Sequence, residues 1–140
     1  MESIPKFTII IPTRQRCEVL KYSLLSACAQ TYPNLDILVS DNCSSDKTKE
    51  VVERFGDHRV KYCNTGARVS MAKNWEFALS HVSSGWVTIL GDDDAILPGA
   101  IERVKEICEL TGAMAVRSIG CDYLWPSLRG SKYGTLSLTM

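Results

Sequence analysis

A chain of 140 residues, 45% hydrophobic and 23% charged, has the size and make-up of one soluble domain with a real core. Its 16 basic and 16 acidic side chains cancel, leaving no overall basic field for nucleic acid or an anionic membrane. No apolar run approaches the roughly 18 residues of a spanning helix. The start, Met1-Glu2-Ser3-Ile4-Pro5-Lys6, is too short and acidic for a signal peptide, so a cytoplasmic location is expected.

Phe7-Thr8-Ile9-Ile10-Ile11 is a β-branched run without polar alternation, which predicts a strand buried on both faces and ended by Pro12. Beyond the polar turn Thr13-Arg14-Gln15-Arg16, apolar residues recur at Val19, Leu20, Leu24, Ala27 and Cys28, the spacing of an amphipathic helix. Leu35–Ser40 is the next strand, closed by Asp41-Asn42. Ser44-Ser45-Asp46 offers caps to a second helix through Val51, Val52 and Phe55, which Gly56-Asp57 ends. Arg59–Cys63 is a third strand. A helix from Ser70 to His81 follows, with Met71, Trp75, Ala78 and Leu79 as its expected buried face. Trp86–Leu90 is the fourth strand, and Pro98 suits the first turn of a fourth helix. That helix presents Ile101, Val104, Ile107, Cys108 and Leu110 and stops at Gly112, and Ala113–Val116 is a candidate fifth strand.

The alternation of strand and helix predicts an α/β fold, a mostly parallel sheet with helices on both faces. It divides the chain into an α/β domain over 6–118 and a region over 119–140, either an irregular tail or the start of further structure. Cys17, Cys28, Cys43, Cys63, Cys108 and Cys121 form no CxxC pair and read as reduced structural thiols. His58 and His81 are isolated, so a histidine-based nucleophilic triad has no support.

In an open parallel sheet, ligands bind beyond the carboxyl ends of the strands. The polar residues there are Thr13 and Arg14, Asp41 and Asn42, Asn64 through Arg68, and Asp92 through Asp94. Taken alone, Gly91-Asp92-Asp93-Asp94 is most simply a solvated acidic loop. The alternative is a divalent cation held by one or two carboxylates plus substrate phosphates. Asp41 can accept from a base or ribose, and Arg14 or Arg68 can meet phosphate oxygens. Each also has a plain reading: Asp41 as a turn cap, Arg14 as a solvated charge, Asn74 with Lys73 as an ordinary helix face. The phosphate cradle GxxxxGK[ST] is absent, and no GxGxxG follows the first strand. Metal, an acid near the base and arginines between them suit a nucleoside diphosphate carrying a group on its far phosphate.

The segment Thr8-Ile9-Ile10-Ile11-Pro12-Thr13-Arg14 resembles the start of family 2 glycosyltransferases of the GT-A fold, as does Ser26 through Asp41 with its turn Gln30-Thr31-Tyr32-Pro33-Asn34. Val39-Ser40-Asp41-Asn42-Cys43-Ser44-Ser45-Asp46-Lys47-Thr48 is similar to the family's V-x-D-(N/D)-x-S-x-D-x-T segment. Gly85 through Asp94 with Pro98 resembles its DxD region. The resemblance spans roughly Lys6 to Thr111, with the motifs in order.

It implies a nucleotide-sugar donor, with UDP favoured because Asp41 stands at the uracil-reading acid. Thr13, Arg14, Asp41, Arg68 and Asp92 would bind the nucleotide, Arg68 by position in its loop. Asp93 and Asp94 would hold Mg²⁺ or Mn²⁺. Gly91 occupies the place of the first acid in the commoner L-D-x-D-D form. The family usually inverts the anomeric centre with a carboxylate base acting on a glycan or other hydroxyl acceptor. That base lies beyond the DxD region, and nothing here matches it; Asp122 comes too early. The catalytic base is therefore unassigned, and the fold is expected to be incomplete at its C-terminal side.

Two other classes are a nucleotide-sugar-binding module without turnover and a phosphoacceptor receiver domain. The latter needs Asp after the third strand and Lys after the fifth, where Cys63-Asn64 and Ser118-Ile119 stand. Oligomerisation through an open sheet edge and peripheral membrane association are left open.

Overall fold

The computed structural model describes residues 4–117, 120–124 and 135–139. Ser118, Ile119 and 125–134, on which part of the C-terminal reading falls, lie outside the described residues. The chain forms two compact units, Met1–Arg103 and Val104–Met140. The first contains β1 (Phe7–Thr13), α1 (Cys17–Cys28), β2 (Leu35–Asp41), α2 (Thr48–Glu53), β3 (Val60–Asn64), α3 (Met71–Leu79) and β4 (Trp86–Ile89). Helix α4 (Ala100–Thr111) runs across the boundary. In the second unit β5 (Gly120–Leu124) pairs antiparallel with β6 (Thr135–Thr139).

The sheet of the first unit is parallel throughout, in the order β3-β2-β1-β4. The chain steps outward from β1 to β3, then returns to place β4 on the other side of β1. That reversal opens a crevice at the carboxyl ends of β1 and β4. On one face Ile10 and Leu38 pack with Ala78 of α3, flanked by Cys63 and Val82. The other parity carries Ile9, Ile11, Ile37 and Val39, all fully buried, as are Leu20, Leu24 and Ala27 of α1. Each of the Ile, Leu and Val side chains among them contributes about 1.5–3 kcal/mol of burial free energy.

Five local expectations change. Pro12 does not end β1, which continues to Thr13. Even-numbered positions of β1 turn their backbone groups toward β4, as the bonds to Lys6 and Ile10 carbonyls show, and that ladder ends at Ile10 and Ile89. The N–H that proline lacks would therefore face a side with no ladder partner. In α3 the buried residues are Asn74 and Ala78, while Met71 and Leu79 are exposed. Asn74 takes the inner position because its amide accepts from Ser40 Oγ (2.8 Å) and donates to the Ser40 carbonyl (3.2 Å).

Pro98 precedes α4 rather than starting it, because a turn through Gly99 at φ +72° intervenes. Leu110, on the expected apolar face of α4, is 82% exposed. Finally, Ala113–Val116 is not a strand. Only Val116 there is β-branched, and among the described residues no strand edge pairs with the segment.

Both ends of α1 are capped from a distance. Its N-cap, Arg16, has no side-chain cap, and the Cys17 N–H donates instead to Asp46 Oδ2 at 3.0 Å. Its last turn carries no cation, and Arg59 supplies one by donating to the Cys28 and Gln30 carbonyls at 2.6 and 2.7 Å. Gly85 holds φ +94° where a Cβ would collide with the Lys6 carbonyl, so only glycine lets β4 start beside β1. Val87 and Ile89 of β4 remain partly exposed, at 38% and 37%. No helix among the described residues is long and apolar enough to cross a membrane. Cys17, Cys28, Cys43, Cys63 and Cys108 are free thiols, and burial pushes Cys28 up to about 11.

Candidate functional site

Strand register sets the first layer of the site. Thr13, Asp41 and Asn64 are consecutive partners at the carboxyl ends of β1, β2 and β3. Asp41 is 1% exposed, and both of its carboxylate oxygens accept hydrogen bonds. Its Oδ2 accepts from Tyr62 Oη (2.6 Å) and Asn64 Nδ2 (3.0 Å), and its Oδ1 accepts from the Ser44 N–H (3.0 Å). Burial, then the bond to Asp41, push the Tyr62 hydroxyl up to about 12, so it stays protonated and donating.

The acidic loop closes the crevice between β1 and β4. Thr13 Oγ1 donates to Asp92 Oδ2 at 2.8 Å, and both residues are buried. One nitrogen of Arg16 bonds Asp92 Oδ1 at 3.0 Å and Asp93 Oδ2 at 2.8 Å. The loop backbone is tied to α1, because Ser23 Oγ donates to the Gly91 carbonyl and the Ile96 N–H donates to Ser26 Oγ. Asp92 is thus an internal, positioned carboxylate, whereas Asp93 and Asp94 are exposed.

A Cβ on Gly91 would lie 2.5 Å from Asp94 Oδ2 and 3.2 Å from Asp93 Oδ1. The side chain missing at Gly91 therefore leaves space on which two carboxylate oxygens converge. Two hard oxygen donors fit Mg²⁺ or Mn²⁺ when phosphate oxygens complete the shell. No group of three or more His, Cys, Asp or Glu among the described residues is placed to hold an ion unaided.

Of the residues singled out from the sequence, Thr13 and Asp92 are joined directly, and Asp93 and Asp94 flank them. Asp41 lies beside Thr13 by register. Arg14 is half-buried, with its Nε buried and without a hydrogen-bond partner, so it holds an unused donor at the end of β1. Arg68 is exposed in the loop after β3 and is not hydrogen-bonded to the carboxylates. Asn42 holds that loop: its Nδ2 donates to the Val69 carbonyl (2.9 Å) and its Oδ1 accepts the Val69 N–H (2.8 Å). Replacing Asn42 with alanine is expected to cost about 1–2 kcal/mol and speed amide exchange at Val69. Hydrogen exchange read residue by residue checks this; unchanged protection there would contradict the clamp.

Arg16, Tyr62 and Asn64 were not among the site residues expected from sequence. Arg16 reads as part of a polar turn, and its partner Asp92 is 76 positions away. Asn64 alone carried a signal, its place at a strand end.

The fold, a parallel α/β sheet with helices, is that of GT-A glycosyltransferases. Staphylococcus aureus TarS residues 1–349 in complex with UDP-GlcNAc superposes with TM-score 0.71 at 20% identity, over 84% of this chain and 39% of that one. The mannosyltransferase PcManGT of Pyrobaculum calidifontis, in complex with GDP-Man and Mn²⁺, gives 0.68 at 24% identity, over 90% and 37%. At the level of sequence, the family described as Glycosyl transferase family 2 matches residues 8–123, and the chain belongs to that family.

Among curated relatives, the GalNAc(5)-diNAcBac-PP-undecaprenol beta-1,3-glucosyltransferase of Campylobacter jejuni is 36% identical over 106 residues. That match covers 74% of this chain and 34% of the relative. The UDP-Glc:alpha-D-GlcNAc-diphosphoundecaprenol beta-1,3-glucosyltransferase WfgD of Escherichia coli is 30% identical over 95 residues, 68% of this chain and 38% of WfgD. The chain therefore spans about a third of the length of these relatives.

Proposed function

We propose that this chain binds a nucleoside-diphosphate sugar, with UDP as the nucleotide, as the donor side of a metal-assisted, inverting glycosyltransferase acting on a hydroxyl acceptor. The observation that carries the proposal is the Thr13–Asp92 bond at the β1/β4 crevice, which sets a carboxylate loop beside Asp41. Relatives with nucleotide-sugar substrates or ligands in their names support the donor class.

In this reading the base and ribose lie against Thr13 and Asp41, with Tyr62 and Asn64 holding the Asp41 carboxylate in place. Arg14 and Arg68 meet the diphosphate oxygens; the unused Nε of Arg14 is suited to that task. Asp92 fixes Thr13 and Arg16. Asp93 and Asp94 would hold a divalent ion, which when bound neutralises charge building on the leaving diphosphate. The α1 tethers to the Gly91 carbonyl and the Ile96 N–H keep these carboxylates in place while the donor enters.

Calorimetric titration with UDP, with and without Mn²⁺, tests the site. Binding is expected to be at least tenfold tighter with the ion, a difference of about 1.4 kcal/mol, and Asp93→Ala is expected to abolish that gain. Equal binding without metal would refute the metal site. Turnover of a UDP-sugar panel with hydroxyl acceptors then separates a transferase from a binding module.

A further inference from the structure

We propose that Arg16 is a built-in counter-cation that keeps the acidic loop from holding a divalent ion tightly until a diphosphate is present. The inference rests on the nucleotide-sugar reading and adds to it an order to the loading of the site.

The geometry separates a fixed part from a movable one. The Arg16 backbone is held, since its carbonyl accepts the Val19 and Leu20 N–H groups at 3.0 Å. Gln15 beside it, at φ +56°, is pinned through its N–H to Ser44 Oγ, its Nε2 to Ser45 Oγ, and its Oε1 to the Ser45 and Asp46 N–H groups. The Arg16 side chain is 52% exposed. It contacts Asp92, whose side chain is only 10% exposed, and Asp93, whose side chain is 57% exposed.

An ion pair open to water contributes little and exchanges readily. The Asp93 contact is thus the one that yields, and Asp93 is also one of the two carboxylates that converge on the space beside Gly91. A divalent ion arriving alone meets a carboxylate already paired and a positive charge alongside, which lowers its affinity. A diphosphate changes both conditions. Guanidinium groups pair strongly with phosphate oxygens, so Arg16 gains a second anion to share, and the same oxygens complete the ion's shell. Metal and donor then bind cooperatively, each raising the other's affinity by the same factor.

The test is Mn²⁺ affinity, measured by electron paramagnetic resonance with and without UDP, for the native chain, Arg16→Gln and Arg16→Lys. Arg16→Gln is expected to bind Mn²⁺ about tenfold tighter without UDP and to lose most of the UDP-induced gain. Arg16→Lys keeps the charge and is expected to stay within about threefold of the native affinity without UDP. A purely structural role would loosen the loop and weaken the ion in both variants. If UDP and Mn²⁺ bind the native chain but Arg16→Gln leaves Mn²⁺ affinity unchanged or weaker, the Arg16 proposal alone is overturned. If neither binds under any condition, the nucleotide-sugar reading fails, and this inference with it.

Discussion

Asp41→Ala is expected to abolish measurable UDP binding and to lower unfolding stability by about 3 kcal/mol. The carboxylate is 1% exposed and accepts from Tyr62, Asn64 and the Ser44 backbone. Alanine leaves three donors, two on β3 and one in the loop after β2, without their acceptor, where partial burial makes an unmade bond costly. Under the proposed function, the donor would also lose the acid proposed to read its base. Urea denaturation and calorimetry on the same preparation check both halves. Asp41→Asn separates them: it preserves volume but sets an amide against three donors, so stability should fall while the pocket keeps its shape. A stable Asp41→Ala protein that binds UDP normally would refute the assignment.

The second large effect lies at the other end of the sheet and should leave the site intact. Arg59→Ala is expected to cost about 3 kcal/mol, because it strips the Cys28 and Gln30 carbonyls of their donor and leaves Asp57 without its cation. The pairing also gives the loss a pH signature. The side-chain bond to Arg59, more than any other contact, holds Asp57 down to about 2 from an ordinary 3.8. A carboxylate depressed in the folded state stabilises above its unfolded value, and that contribution fades as pH falls from about 4 toward 2. The native chain should therefore lose stability across that interval, and Arg59→Ala should lose less. UDP affinity at neutral pH is expected to stay within about twofold of native, since Arg59 lies at the far edge of the sheet. Matching acid limbs in the two proteins would count against the Arg59–Asp57 assignment.

The order from β1 to α4 was legible because those elements carry local patterns. Phe7–Ile11 runs without polar alternation, as a strand covered on both faces must, and Leu35–Ser40 keeps Leu35, Ile37, Leu38 and Val39 apolar and buried. Local pattern misled where a distant partner sets the outcome. Asn74 faces the core because Ser40 offers it both a donor and an acceptor, and Pro12 fits inside β1 because the ladder to β4 has already ended. Neither fact is written in the residues around them.

The same division holds for the acidic loop. Sequence by itself determined that Thr13, Asp41 and Asp92–Asp94 stand at the carboxyl ends of parallel strands, because strand period and connection handedness are short-range rules. Only the tertiary structure decided which carboxylate does what. Asp92 turns inward because Thr13, 79 positions earlier, offers a buried hydroxyl and Arg16 a charge. Asp93 and Asp94 are left outside, facing the space beside Gly91. Three identical neighbours acquire different roles because burial and pairing are set across the sheet, not along the chain.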